Sequence, residues 1–162
     1  MNRFPDRRLS ELEALYRARH SHFVRVARAI TGDPERAHEA VQDGFADAIR
    51  SRKTFRGDAP LEAWVWRAVV NAARKAVRHL LAEAGLPVGG ESEPPQAMRE
   101  LAPTIAALPE RQRLVVFLRY YADLDYRAIA DALDVEVGTV SATLAAAHSK
   151  VRTALEEVRS DG

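Results

Sequence analysis

Cysteine is absent from the sequence, and this absence removes two kinds of site at once. None of the 162 residues is cysteine, so the chain can form neither a disulfide framework nor a thiolate metal site. Long apolar runs are absent too: no stretch approaches the roughly 20 residues that a membrane span needs, and residues 1–8 lack the apolar segment of a signal peptide. We therefore expect a cytoplasmic protein that does not insert into a membrane.

The motifs of common catalytic sites are also missing. The sequence contains no glycine-rich phosphate loop, serine elbow or cysteine nucleophile. The histidines show no ligand pair on one helical face, because His20 and His22 lie two positions apart and point away from each other. We therefore expect no enzymatic activity, no metal and no cofactor.

The apolar residues recur at helical spacing and nowhere alternate with a period of two over a useful length. This pattern predicts an all-α fold without a sheet. Ser10 and Glu13 have the spacing of a capping box at the start of a first helix. Asp33 followed by Pro34 predicts the start of a second helix, and Pro60 predicts the start of a long third helix.

A linker is predicted at residues 83–100, which combine proline, glycine and acidic residues without an apolar period. It separates a helical unit at residues 1–82 from a second helical unit at residues 101–162. We therefore predict two small helical domains joined by a flexible linker.

The charges are distributed unevenly between these two parts. The chain carries a formal net charge of +1, but residues 1–82 contain 16 Lys and Arg against 10 Asp and Glu, whereas residues 83–162 contain 8 against 13. If the protein meets a phosphate backbone, the first part supplies most of the attraction. On the third helix, Arg67, Asn71, Arg74 or Lys75, and Arg78 recur at spacings of three and four and share one face, which we call the basic stripe. Taken alone, the basic stripe is more simply interpreted as a solvated helix face.

Residues 126–144 have the pattern of a helix-turn-helix. Ile129 and Leu133 mark the inner face of a first helix, and Val140 and Leu144 repeat that spacing on a second helix. Asp134 occupies the turn position where glycine is usual, and aspartate tolerates the left-handed conformation better than most residues. The motif alone is also compatible with an ordinary helical hairpin.

Three blocks of sequence resemble a known family. They include Thr31-Gly-Asp-Pro-Glu35 with Ala40-Val-Gln-Asp-Gly-Phe45, then Phe55-Arg-Gly-Asp-Ala-Pro-Leu-Glu-Ala-Trp-Val-Trp-Arg67, then Ile105-Ala-Ala-Leu-Pro-Glu-Arg-Gln-Arg113. These blocks are similar to the extracytoplasmic-function sigma factors, the small two-domain group of the sigma-70 family of bacterial RNA polymerase. The resemblance implies that residues 1–82 are sigma domain two, residues 83–100 the linker, and residues 101–162 sigma domain four.

The resemblance also implies a function and its partners. Such a protein binds core RNA polymerase at the β-prime clamp and the β flap, recognises promoter DNA and helps to open the minus-ten region. It is often held inactive by an anti-sigma factor, and it joins the nucleoid when bound to polymerase. The core-binding residues implied on the second helix are Glu39, Gln42, Asp43 and Phe45, where Glu39 and Asp43 share an acidic face with Asp47.

Two DNA sites are implied as well. The minus-ten site comprises Lys53, Phe55, Arg56, Trp66, Arg67, Asn71, Arg74, Lys75 and Arg78, where aromatic rings stack on unpaired bases and cations bind phosphates, with Trp64 assigned to the core. The minus-thirty-five site comprises Thr139, Ser141, Thr143, His148 and Lys150. The family usually places basic or long polar side chains where this chain has Ser141, Thr143, Ala145 and Ala146. We therefore predict weak or atypical upstream readout.

Two other functions remain open on the sequence. A helix-turn-helix regulator could act without polymerase, although the poor recognition helix argues against it. A sigma-derived protein-interaction module could use the alanine-rich segment at residues 140–147 to bind protein in place of DNA. Binding to core polymerase, followed by promoter opening, would distinguish the sigma factor from both.

Overall fold

The computed structural model describes residues 6–85, 103–120 and 122–161. The N-terminal unit contains α1 (Arg7–Thr31), α2 (Pro34–Ser51), a 3-10 turn (Arg52–Thr54) and α3 (Leu61–Glu83). The C-terminal unit contains α4 (Pro103–Ala106), α5 (Glu110–Tyr120), α6 (Tyr126–Leu133) and α7 (Val137–Ser160).

The regular structure in these ranges is entirely helical, so the all-α prediction is confirmed. The predicted linker at residues 83–100 lies almost wholly outside the described residues, and the three domain boundaries stay predictions. In the described part of the chain, none of the helices combines the length and the apolar composition that crossing a membrane requires.

The first helix begins earlier than predicted. Asp6 caps it, because its carboxylate accepts hydrogen bonds from the backbone N–H groups of Arg8 and Leu9. The predicted capping box is wrong, since Ser10 lies inside α1. Arg52 donates a hydrogen bond of 2.6 Å from Nε to Oδ2 of Asp6, which holds the pKa of that carboxyl below its ordinary value. This contact ties the 3-10 turn to the start of α1.

The predicted start of α2 is confirmed. Asp33 Oδ1 accepts a hydrogen bond of 2.8 Å from the backbone N–H of Arg36, and Pro34 occupies the first helical position. The three long helices then pack together around apolar side chains that are almost fully buried, among them Leu12, Phe23, Val41, Val65 and Trp66.

Helices α2 and α3 approach each other closely at Gly44. A Cβ atom at this position would lie 2.7 Å from the backbone Cα of Val69. Backbone cannot move aside as a flexible side chain can, so any larger residue must push the two helices apart. Gly44 is therefore needed for the close packing that sets the distance between α2 and α3.

We expect Gly44→Ala to lower the free energy of unfolding by about 1–3 kcal/mol, because the overpacking outweighs the better helix propensity of alanine. Urea unfolding followed by circular dichroism measures the change. The matched control is Gly138→Ala in the first turn of α7, where an added Cβ has no neighbour within 4 Å. Equal loss of stability in the two variants would contradict the packing argument.

The C-terminal unit contains the predicted helix-turn-helix, formed by α6 and α7. Asp125 caps α6 by accepting a hydrogen bond of 2.7 Å from the backbone N–H of Ala128. Asp134 ends α6 in the left-handed conformation, with φ 56° and ψ 51°, as its place in the turn predicts. Ile129, Val140 and Leu144 are buried, and Leu133 is partly buried against the same core, which confirms the inner face predicted for both helices.

The two units pack against each other. Helix α3 lies against α6, and α1 contacts α5. The buried apolar residues of both units belong to one continuous cluster. Helix α3 therefore contacts its own unit and the helix-turn-helix at the same time.

Candidate polymerase and nucleic-acid interface

The predicted polymerase-binding residues of α2 divide into exposed and buried groups. Glu39, Gln42 and Asp43 are exposed. Phe45 is only 5% exposed, and its ring packs edge-on against Tyr16 and Phe23 at centroid distances of 5.0 and 5.1 Å. The prediction that Phe45 contacts polymerase is wrong, because its side chain is part of the core of the N-terminal unit.

A groove of about 590 Å³ runs between α2 and α3. We call it the α2–α3 groove; its polar lining consists of Asp43, Asp47, Arg50, Asn71, Lys75, Arg78 and His79. Asp47 also forms an ion pair with Arg50 one turn along α2. Asp43 of the predicted polymerase site therefore lines the same groove as Asn71, Lys75 and Arg78 of the predicted minus-ten site, although the two sets are far apart in the sequence.

The predicted basic residues of the minus-ten site differ in their surroundings. Lys53, Arg56, Asn71, Lys75 and Arg78 are exposed. Two other arginines, Arg67 and Arg74, are held by carboxylates of the C-terminal unit. Arg67 Nη2 lies 3.0 Å from Asp134 Oδ2, and Arg74 Nε lies 2.8 Å from Glu110 Oε1. The stripe thus has an open part at the α2–α3 groove and a part that contacts the second unit.

The aromatic residues of this region are placed differently from the prediction. Trp66 is fully buried and its ring lies 4.1 Å from that of Phe23, so its predicted role in stacking on bases is wrong. Trp64, predicted to be core, is partly exposed and pairs with Phe55 at a centroid distance of 5.1 Å. It also lines a second groove together with Arg67 and Asn71.

The spacing of Trp64 could have revealed this placement. Arg67 and Asn71 follow it by three and seven positions, which puts all three on one helix face. Trp66 does not share that spacing. Polar residues at helical spacing from a tryptophan therefore predict its exposure better than its own hydrophobicity does.

The predicted minus-thirty-five residues lie on α7. Ser141, His148 and Lys150 are exposed, whereas Thr139 and Thr143 are partly buried. His148 Nε2 is already within 2.8 Å of the hydroxyl of Tyr120 on α5. The exposed face between these residues consists largely of alanine methyl groups and hydroxyl groups.

Comparison with known proteins assigns the chain to a family. The Sigma-70 region 2 family matches residues 15–80, and the Sigma-70 region 4 family matches residues 98–151. The ECF RNA polymerase sigma factor SigM of Mycobacterium tuberculosis is 31% identical over 148 residues, which cover 86% of this chain and 74% of SigM. The chain is an extracytoplasmic-function sigma factor of the sigma-70 family. It directs transcription initiation, and its family consists of initiation factors rather than catalysts.

Other relatives of this sigma factor agree with that membership. The RNA polymerase sigma-H factor of Pseudomonas aeruginosa is 27% identical and is matched over 76% of this chain and 75% of its own length. Among solved structures, CnrH in complex with the cytosolic domain of CnrY has a TM-score of 0.71 at 21% identity and covers 90% of this chain and 88% of its own. RpoE of Bartonella quintana, in complex with the anti-sigma factor NepR, has a TM-score of 0.67 at 18% identity, with 91% of this chain and 95% of its own covered. At such identities the structures support the fold.

Proposed function

We propose that this sigma factor binds core RNA polymerase through the exposed polar residues of α2 and binds the opened minus-ten strand along α3. The observation that supports this most directly is the α2–α3 groove, where Asp43 and Asp47 face Asn71, Lys75 and Arg78. Carboxylates suit a basic protein surface, while cations and an amide suit phosphates and base edges. Polymerase and DNA would then meet the sigma factor at adjoining surfaces.

The segment before α3 completes the minus-ten site in this proposal. The ring of Phe55 is contacted by the guanidinium of Arg8, whose Cζ lies 4.6 Å from the ring centroid, and by the ring of Trp64 at a centroid distance of 5.1 Å. A supported aromatic pair beside exposed Lys53 and Arg56 can stack on an unpaired base while the cations hold the neighbouring phosphates. Trp64 takes the stacking role that the sequence assigned to Trp66.

The C-terminal unit makes the weaker DNA contact. Of the predicted upstream residues, Lys150 is the one cation, and Ser141 offers a hydroxyl. A hydroxyl or a methyl group can touch base edges but does not neutralise phosphate. We therefore assign domain four, at residues 101–162, to the β flap and to an atypical minus-thirty-five contact through Thr139, Ser141, Thr143, His148 and Lys150.

An inhibitory partner is a further part of the proposal. Two structures with the same fold are complexes, one with the cytosolic domain of CnrY and the other with the anti-sigma factor NepR. By analogy, this sigma factor is held by an anti-sigma factor until it is released to join polymerase at the nucleoid. Co-purification with a partner that blocks core binding would test this point.

We expect Asn71→Ala with Lys75→Ala to reduce promoter opening by about tenfold or more, because one base-edge contact and one phosphate contact are lost. Ser141→Ala with Lys150→Ala is the matched control, since it removes one polar side chain and one lysine from the upstream site. It should cost about twofold or less. A promoter is first selected from a library with the reconstituted holoenzyme. Promoter opening is then measured by the fluorescence of 2-aminopurine placed in the minus-ten region of that promoter.

The same assay tests the function as a whole. Failure of the unmodified chain to bind core polymerase would refute the proposed function. If the chain binds core polymerase and transcribes, but Ser141→Ala with Lys150→Ala reduces promoter opening more than Asn71→Ala with Lys75→Ala, then specificity lies in domain four and its assignment to α3 is wrong.

A further inference from the structure

The segment between α2 and α3 carries Phe55, one of the two rings that the proposed function assigns to base stacking. Its first part is the 3-10 turn (Arg52–Thr54), and residues 55–60 before α3 have no helical structure. Gly57 has a φ of 82°, and a Cβ atom there would have no neighbour within 4 Å, so the tip of the segment is open. An irregular surface segment of this kind depends on contacts from other elements to hold one conformation.

Asp6 contacts the beginning of this segment, and its two carboxylate oxygens have separate partners. Oδ1 accepts hydrogen bonds from the backbone N–H groups of Arg8 and Leu9, whereas Oδ2 accepts one of 2.6 Å from Nε of Arg52. Arg52 also donates from Nη1 to the carbonyl of Ile49 at 2.7 Å. Because both bonds use a charged guanidinium, they are stronger than bonds between neutral groups. One side chain therefore joins the start of α1, the end of α2 and the 3-10 turn.

Arg8 contacts the aromatic ring that follows the turn. Its Cζ lies 4.6 Å from the ring centroid of Phe55, and that ring packs against Trp64 at a centroid distance of 5.1 Å. Nη1 of Arg8 lies 2.9 Å from Oε2 of Glu11, so the guanidinium is itself held on α1. The Arg8 side chain is 35% exposed, and partial removal from water strengthens the attraction between a cation and an aromatic face. The position of the Phe55 ring thus depends on α1 as well as on α3.

We propose that Asp6 and Arg8 are positioning residues of the minus-ten site. They hold the segment so that the Phe55–Trp64 ring pair is arranged for stacking before an unpaired base binds. Such preorganisation favours binding, because less side-chain and loop freedom is lost when the strand binds. The match to Sigma-70 region 2 begins at residue 15, so both residues lie outside the matched domain. The inference rests on the proposed DNA role of Phe55 and Trp64.

The positioning variant is Asp6→Asn with Arg8→Gln. Asparagine caps a helix about as well as aspartate does, so Asp6→Asn keeps an oxygen for the start of α1. It replaces the other oxygen by an amide NH2 group, which cannot accept a hydrogen bond from Nε of Arg52. Arg8→Gln removes the cation over Phe55, whereas Arg8→Lys alone is the conservative variant that keeps a positive charge there.

The control variant is Arg7→Gln with Glu13→Gln. Arg7 also pairs with Glu11, at 3.0 Å, and its side chain is 93% exposed. Glu13 pairs with Arg17 on the same helix, and its side chain is 60% exposed. Both double variants remove one cation and one carboxylate from the first turns of α1. Net charge is therefore unchanged in each, and general attraction to DNA is the same.

The arrangement of the rings is measured by acrylamide quenching in the full chain. The sequence contains two tryptophans, so a Trp66→Phe background leaves Trp64 as the only one. We expect the quenching constant of Trp64 to rise about twofold in the positioning variant, because a loosened segment exposes the indole. The control variant and Arg8→Lys should stay close to the Trp66→Phe background.

The effect on function is measured by promoter opening with reconstituted holoenzyme, using the 2-aminopurine promoter described above. We expect the positioning variant to reduce opening about three- to tenfold, and Arg8→Lys to retain most of it. Affinity for core polymerase and the midpoint of thermal unfolding should match those of the control variant. A general loss of structure would lower all three quantities, so this split identifies a positioning role.

Equal promoter opening in the positioning and control variants would overturn the inference. A loss of opening that is matched by losses of core binding and thermal stability would overturn it as well, and so would unchanged quenching of Trp64. Failure of the unmodified chain to bind core polymerase would instead refute the proposed function. The quenching measurement needs no polymerase, so it decides in that case too whether Asp6 and Arg8 hold the ring pair.

Discussion

Trp66→Ala should unfold the N-terminal unit or leave it barely stable. The side chain has no exposed surface, stacks on Phe23 and donates a hydrogen bond of 3.4 Å from Nε1 to Glu62 Oε1. Truncating a buried tryptophan costs about 3–5 kcal/mol, and an entire domain is stabilised by only about 5–15 kcal/mol. Thermal unfolding followed by circular dichroism measures the loss.

The matched control for this variant is Trp64→Ala, because the ring of Trp64 is partly exposed and packs against Phe55. We expect a loss of about 1–2 kcal/mol for Trp64→Ala, since less area is removed from the interior. In promoter opening, the informative comparison is with Trp66→Phe, which keeps an aromatic ring in the core. Trp64→Ala should reduce promoter opening more than Trp66→Phe does. A larger stability loss for Trp64→Ala would show that the two rings have been assigned the wrong roles.

Asp43→Arg should weaken binding to core RNA polymerase by at least tenfold. The residue is exposed on α2 and lines the α2–α3 groove. Reversing its charge converts attraction to a basic partner surface into repulsion, and like charges that meet across an interface cost several kcal/mol. Fluorescence anisotropy of labelled sigma factor titrated with core polymerase measures the dissociation constant.

Glu156→Arg provides the control for this second experiment, because it makes the same change in net charge at an exposed position on α7. It should leave the affinity for core polymerase within about twofold of the unmodified value, as expected for a charge outside the contact. Equal losses in both variants would mean that net charge and not the α2 surface controls binding. No loss in Asp43→Arg would remove α2 from the proposed interface.

Much of the candidate site was predictable because it consists of exposed polar residues at helical spacing. Asn71, Lys75 and Arg78 share a face by their spacing alone, and the structure leaves that face open. The aromatic residues were harder, because the hydrophobicity of a tryptophan does not separate packing from binding, and only the spacing of Trp64 from Arg67 and Asn71 distinguishes it from Trp66. Trp64 and Trp66 were therefore exchanged in the prediction.

The missed contact between the units has a different cause. Nothing in the sequence around Arg67 or Arg74 indicates a partner, since Asp134 and Glu110 lie beyond the predicted linker. Charge asymmetry indicated only that the C-terminal part is acidic and the N-terminal part basic. Which carboxylate reaches which guanidinium follows from how α6 packs on α3.

Local sequence was sufficient for the helices, for the Asp33-Pro34 start of α2, for the left-handed Asp134 and for membership of the sigma factor family. The helices, the start of α2 and the left-handed turn depend on residues within a few positions of each other, where backbone geometry and capping act. Family membership depends on the three blocks of sequence and their order along the chain. Packing between distant helices settled the rest: the burial of Trp66, the common groove of α2 and α3, and the pairing of the basic stripe with the helix-turn-helix. Helix α3 packs against α1 and α2 and also against α6, and nothing local to α3 indicates the contact with α6.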